Sequence, residues 1–176
     1  DMTGREQGIR TLMRISLLKR LESSVNSFML TLERVTKYID TTLDVIEKFE
    51  KNKEKGVFNK GSDVPEAGID DDDLDLDDQN IDFIVGKKIR INLKDMDYLS
   101  WKNMMKSDVE VLNNLIESVK IISPEQDNKL QTLLSVITTK INEPINPGNK
   151  KILIFTAFAD TADYLYSNVS RYVTMK

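Results

Sequence analysis

The chain has 176 residues, 40% of them apolar, which is enough to build a domain-sized core. It contains no cysteine and no histidine, excluding disulfides, thiolate or imidazole metal centres, and Ser-His-Asp or Cys-His catalysis. The net charge of -4 is uneven, since Ser62 to Asn80 holds 9 acids and no base; the remaining 20 acids face 25 bases, and that mildly basic remainder is compatible with a phosphate backbone. Charged residues at 31% against aromatics at 7% favour long solvated helices over sheets. No apolar run approaches the roughly 20 residues of a membrane helix, and Asp1 to Arg10 lacks the apolar core of a signal peptide, so a cytoplasmic location and no membrane partner are expected.

The first segment, 1–55, carries apolar residues at Leu18, Leu21, Val25, Phe28, Leu32, Val35, Ile39, Ile46 and Phe49. Their alternating spacing of three and four is a heptad pattern, interrupted only at Thr42. Without Pro or Gly between Ile9 and Lys55, one helix of roughly 40 residues is expected, about 60 Å long. Its apolar stripe needs partners.

Residues 56–94 contain Gly, Pro and the acidic run, and read as a mobile linker. The alternation of Asp from Asp70 to Asp78 lacks the Gly and Glu offsets of a calcium loop. Within this stretch 88–93 alternates Ile89, Ile91 and Leu93 with polar residues, a short strand or an extended connector. Residues 95–143 read as a two-helix hairpin. Asp97 caps a helix bearing Trp101, Met105, Leu112, Leu115, Val119 and Ile122. Ser123-Pro124-Glu125-Gln126 carries the signature of a capping box opening the next helix. That helix turns Leu130, Leu133, Leu134, Ile137 and Ile141 inward and stops before Pro144. In 144–176, Lys150 to Thr156 is a short apolar run of the kind buried in a parallel sheet, and Ala159 to Tyr172 returns to helical spacing. The expected fold is mainly α: a long coiled-coil-like helix packed with an antiparallel helical pair, plus a C-terminal β-α unit. A strand at 152–156 has no sheet of its own, so it must pair with 88–93, pair with a second copy, or stay unformed, and the chain looks truncated.

Three segments carry a resemblance. Ile152 to Leu165 resembles motif IV of superfamily-two helicases of the Swi/Snf-like kind. Ser16-Leu17-Leu18-Lys19-Arg20-Leu21-Glu22-Ser23-Ser24, followed by Phe28 and Leu32, is similar to the helix after the first motor lobe in a prokaryotic branch of that family. Asp127-Asn128-Lys129-Leu130-Gln131-Thr132-Leu133 is similar to the Asp-x-Lys-Leu-x-x-Leu stretch that precedes motif IV. Together they cover about a third of the chain, in the family's order. The resemblance implies that 144–176 opens a second RecA-like lobe. It also implies a parent protein that binds ATP and Mg²⁺ and runs on duplex DNA. The chain departs from the family in lacking a Gly-x-x-x-x-Gly-Lys-Thr phosphate loop, an acidic magnesium box and a motif VI. No catalytic residue, metal or cofactor is therefore expected within it.

The resemblance makes Thr156, Phe158 and Thr161 candidates for nucleic-acid contact at the start of a helix, where free N–H groups and the positive dipole end attract phosphate. The alternative is that Thr156 or Asp160 caps that helix and Phe158 packs beneath it. Arg14, Lys19 and Arg20 are basic candidates for the same contact, or the solvated flank of the long helix with Glu22 as an intrahelical partner. Asp108 falls in the seam between Met105 and Leu112, either as a buried register-fixing ion pair or at an edge with Val109 facing in. The expected function is an inter-lobe helical arm of an ATP-dependent DNA helicase or translocase, in contact with the flanking RecA-like lobes and not catalytic itself. The alternative is a coiled-coil interaction module without motor activity, self-associating through 152–156 or through the heptad seam.

Overall fold

The computed structural model describes residues 2–54, 93 and 96–175. They form helices α1 (Met2–Ser23), α2 (Val25–Glu54), α3 (Tyr98–Lys120), α4 (Asn128–Asn142) and α5 (Ala159–Thr174), with no strand among the described residues. The protein is mainly α. The acidic linker and the short strand expected at 88–93 lie outside the described residues, apart from Leu93. No helix among the described residues is long and apolar enough to cross a membrane.

The chain divides into two compact units, 32–116 and 1–31 with 117–176. In the first, Ile46 and Phe49 of α2 are buried with Leu93 and with Met105 of α3, and Ile39, Leu43, Tyr98 and Trp101 pack around them. The rings of Phe49 and Tyr98 meet edge to face at 5.3 Å. Lys102 Nζ donates to Glu50 Oε2 at 2.6 Å with Glu47 Oε1 at 4.0 Å, and the contact with Glu50 raises the Lys102 ammonium above its ordinary range. Asp97 caps α3 as expected: its Oδ1 accepts from the Ser100 amide at 3.1 Å, and hydrogen bonding to Ser100 holds its carboxyl below the usual range. Asp108 is exposed and Val109 half-buried, so the seam turns on Val109 and the buried ion pair is not formed. An exposed carboxylate escapes the desolvation cost that the seam position imposes.

In the second unit, Leu130, Leu134 and Ile137 of α4 are buried. The hydrophobic residues packed on them are Leu133 and Ile141 of α4 with Tyr164, Leu165, Val169 and Tyr172 of α5. The α4 stripe expected along the long helix thus lies against α5 instead. Tyr172 and Thr138 close this contact with a hydroxyl pair at 2.7 Å.

Three local expectations need correction. The 1–55 helix is interrupted at Ser24, and its N-terminal seam is misassigned: Leu18 is 54% and Leu21 42% exposed, whereas Arg20, Ser24 and Ser27 are buried. The capping box at Ser123 forms one of its bonds, Ser123 N–H to Gln126 Oε1 at 3.1 Å, but α4 begins later, capped by Asp127. Residues 152–156 form no strand. The β-α unit is therefore represented by its helix alone, because no second strand among the described residues lies beside the segment to take its backbone groups.

Between α4 and α5 the chain reverses as its residues dictate. Asn149 N–H donates to Asn146 O at 3.0 Å and Gly148 takes φ 80°, the left-handed position after proline that a side chain would strain. Beyond it Leu153 is 84% and Phe155 90% exposed, while Ile152 and Ile154 are 37% and 42% exposed.

Candidate functional site

The polar groups of the second unit gather where α1, α4 and α5 meet. The first component is the interruption at Ser24. Serine is a good N-cap because its short hydroxyl accepts from the backbone of the following turn. Here Ser24 Oγ accepts from the Ser27 amide at 3.0 Å. The ladder continues on either side, with Ser24 N–H to Arg20 O at 3.0 Å and Phe28 N–H to Ser24 O at 3.1 Å.

Thr161, in the first turn of α5 and 3% exposed, sits against this cap. Its hydroxyl pairs with Ser23 Oγ at 2.8 Å and Ser24 Oγ at 3.0 Å. Thr156 Oγ1 reaches Ser23 Oγ at 3.5 Å and accepts from the Phe158 amide at 3.4 Å. The buried hydroxyl of Thr161 is thus satisfied within the protein, as a withdrawn polar group must be.

Arg20 lies one turn before Ser24. Its Nη1 donates to Asp160 Oδ2 at 3.1 Å, with the two side chains 8% and 11% exposed, and its guanidinium carbon stands 4.7 Å from the centre of the Phe158 ring. Asp160 is in the first turn of α5, where a carboxylate complements the helix dipole. Phe158 occupies the N-cap position without a side-chain cap, its carbonyl accepting from Thr161 and Ala162 at 3.1 Å each.

α4 supplies the remaining contacts. Asp127 Oδ1 accepts from the amides of Lys129 at 3.0 Å and Leu130 at 3.1 Å, and Oδ2 accepts from the Tyr164 hydroxyl at 3.0 Å. Burial, aided by the Asp127 carboxylate, pushes the Tyr164 phenol well above its ordinary value. Lys129 Nζ donates to Glu22 O and, at 3.4 Å, to Ser23 O, the last carbonyls of α1.

Of the six nucleic-acid candidates, Thr156, Phe158, Thr161 and Arg20 are brought together at this junction and engage the protein itself. Arg14 and Lys19 stay exposed on α1. Neither the capping alternative for Thr156 and Asp160 nor the solvated alternative for Arg20 describes the arrangement. Thr156 and Phe158 are half-buried, Phe158 lies beneath a guanidinium, and Asp160 is the partner of Arg20. Asp160 also places negative charge where a phosphate would approach α5. Ser23, Ser24, Lys129 and Tyr164 stood in the sequence only as members of the resemblance segments and not as contact residues, though two adjacent serines amid strong helix formers are a readable signal of a break. The arrangement fastens helices; no group of three or more Asp or Glu residues among the described residues is placed to hold a metal ion.

Comparison with protein-family models, with curated proteins and with solved structures finds no match.

Proposed function

We propose that this chain is the inter-lobe helical arm of an ATP-dependent DNA helicase or translocase, coupling motor-lobe motion to nucleic acid while the flanking RecA-like lobes supply ATP, Mg²⁺ and the chemistry. One observation supports the reading above the others. The three segments that resemble Swi/Snf-like motors are far apart in sequence yet meet at one junction: Arg20 with Asp160, Ser23 and Ser24 with Thr161, Lys129 with the end of α1, and Asp127 with Tyr164. In such an arm, the fastened junction carries a displacement of α5 into α1. Of the basic candidates, Arg14 and Lys19 stay exposed and can meet a phosphate backbone.

The test uses the full-length protein, whose coding sequence upstream should hold a phosphate loop and acidic box. Duplex-DNA affinity is measured from about 50 to 200 mM salt for wild type and for Arg14→Ala with Lys19→Ala. The expected result is weaker binding with a log-log slope reduced by about 0.9 per lost phosphate contact. Absence of ATPase motifs together with an unchanged slope overturns the reading. A coiled-coil interaction module is the second reading, favoured by the exposure of Leu153 and Phe155 at 84% and 90%, which a partner's sheet would cover.

A further inference from the structure

We infer that the interruption between α1 and α2 is a conformational switch: α4 and α5 hold the helix broken at Ser24, and releasing Lys129 and Thr161 merges α1 and α2 into one unbroken helix. The inference rests on the junction geometry and stands whether or not the chain serves a motor.

Ser24 offers a cap to the following turn, but the local chain permits a break without demanding one. There is no Pro or Gly from Arg10 to Lys55, and no non-glycine residue among those described has positive φ. The hydrogen-bond ladder also runs up to and away from Ser24 in helical register, Ser24 to Arg20 and Phe28 to Ser24. In an unbroken α-helix the carbonyls of Glu22 and Ser23 accept from the amides of Asn26 and Ser27. Here both carbonyls accept from Lys129 Nζ, and the Ser27 amide is taken by Ser24 Oγ. Thr161 holds the Ser23 and Ser24 hydroxyls at 2.8 and 3.0 Å. Side chains of α4 and α5 therefore occupy or orient the groups whose pairing would complete the helix.

The two states exchange similar interactions. The broken state has a serine cap, an ammonium on two carbonyls and paired hydroxyls; the unbroken state has backbone bonds in their place. Loss of the side-chain contacts that favour the broken state therefore biases the chain toward the unbroken one. The lever is the first turn of α5, because Thr161 and Asp160 lie there and the exposed run 152–155 leads directly into it. Whatever engages that run pulls on the contacts that keep the helix broken.

The absence of native cysteine allows spin labels at Thr11→Cys, an exposed site on α1, and Met29→Cys, a half-buried site on α2, in the full chain. Unbroken helix between them spans about 27 Å. We expect a shorter interspin distance in the otherwise native protein, and a shift to a single population near about 27 Å when Lys129→Met and Thr161→Val are combined. A distance unchanged by the pair, with a cooperative melt retained, overturns the switch. If that pair unfolds, Lys129→Met and Thr161→Val measured singly decide: a switch moves the distance distribution toward about 27 Å in each, and a distribution unchanged in both overturns it.

Discussion

The guanidinium of Arg20 and the carboxylate of Asp160, 140 positions apart in sequence, meet at 3.1 Å with both side chains almost withdrawn from water. Removing one member of such a pair takes the oppositely charged group away from the other. Arg20→Met and Asp160→Asn should each therefore cost about 3–5 kcal/mol in denaturant unfolding. The double variant should lose less than the sum, by a coupling of about 1–3 kcal/mol. Additive losses would show that each residue acts alone, through Phe158 or the dipole of α5.

Tyr164 makes stability depend on alkaline pH. Its folded phenol is pushed above the ordinary value by burial and by Asp127. Above about pH 10 the unfolded chain gives up this proton while the folded chain keeps it. The folded state then binds more protons, so the contribution is complete below that pH and declines as pH rises toward the folded value. Urea midpoints at about pH 9 and about pH 11 should fall more in wild type than in Tyr164→Phe. Equal declines would place the alkaline sensitivity elsewhere.

Ser27 is fully buried, and its hydroxyl oxygen has no hydrogen-bond partner. Its amide, by contrast, is committed to Ser24 Oγ at 3.0 Å. Replacing it by alanine removes an unsatisfied buried oxygen and improves helix propensity while leaving the amide in place. Ser27→Ala should accordingly stabilise the protein by about 1 kcal/mol in equilibrium unfolding. A loss of stability would mean that this hydroxyl is satisfied in solution.

The sequence was most legible where one residue decides a local geometry. Asp97 caps α3, α4 ends at Asn142 before Pro144, and Pro147-Gly148 forms the turn, because each acts on its own neighbours. The stripe of α4 was also readable, since Leu130, Leu134 and Ile137 stand out against polar neighbours. α1 was not, for it has apolar residues all round: Leu12, Ile15, Leu18 and Leu21 are all more than 40% exposed. Periodicity there leaves the buried phase undecided. It is set by hydroxyl and ionic contacts from Thr156 and the first turn of α5, 133 to 140 positions away, which no local pattern reports. The same distance hid the site: Thr156, Phe158, Thr161 and Arg20 stood out individually, but not as partners within one chain.

Residues 152–155 present four apolar side chains in succession without strand pairing, and Leu153 and Phe155 are almost fully exposed. Exposed side chains contribute little to folding. Leu153→Lys together with Phe155→Lys should therefore shift the unfolding free energy by no more than about 0.5 kcal/mol per site. Association is a different matter, because an exposed apolar run without strand pairing is a template for another strand. In two antiparallel copies centred on Leu153, Lys151 would stand opposite Phe155 and Lys150 opposite Thr156. No like charges would then face each other across the pair, so the lysines do not oppose it. Sedimentation velocity should show concentration-dependent self-association in wild type and its loss in the lysine variant. Association that persists in the variant would transfer the contact to the exposed face of α1, where Leu12→Lys with Leu18→Lys provides the matching test.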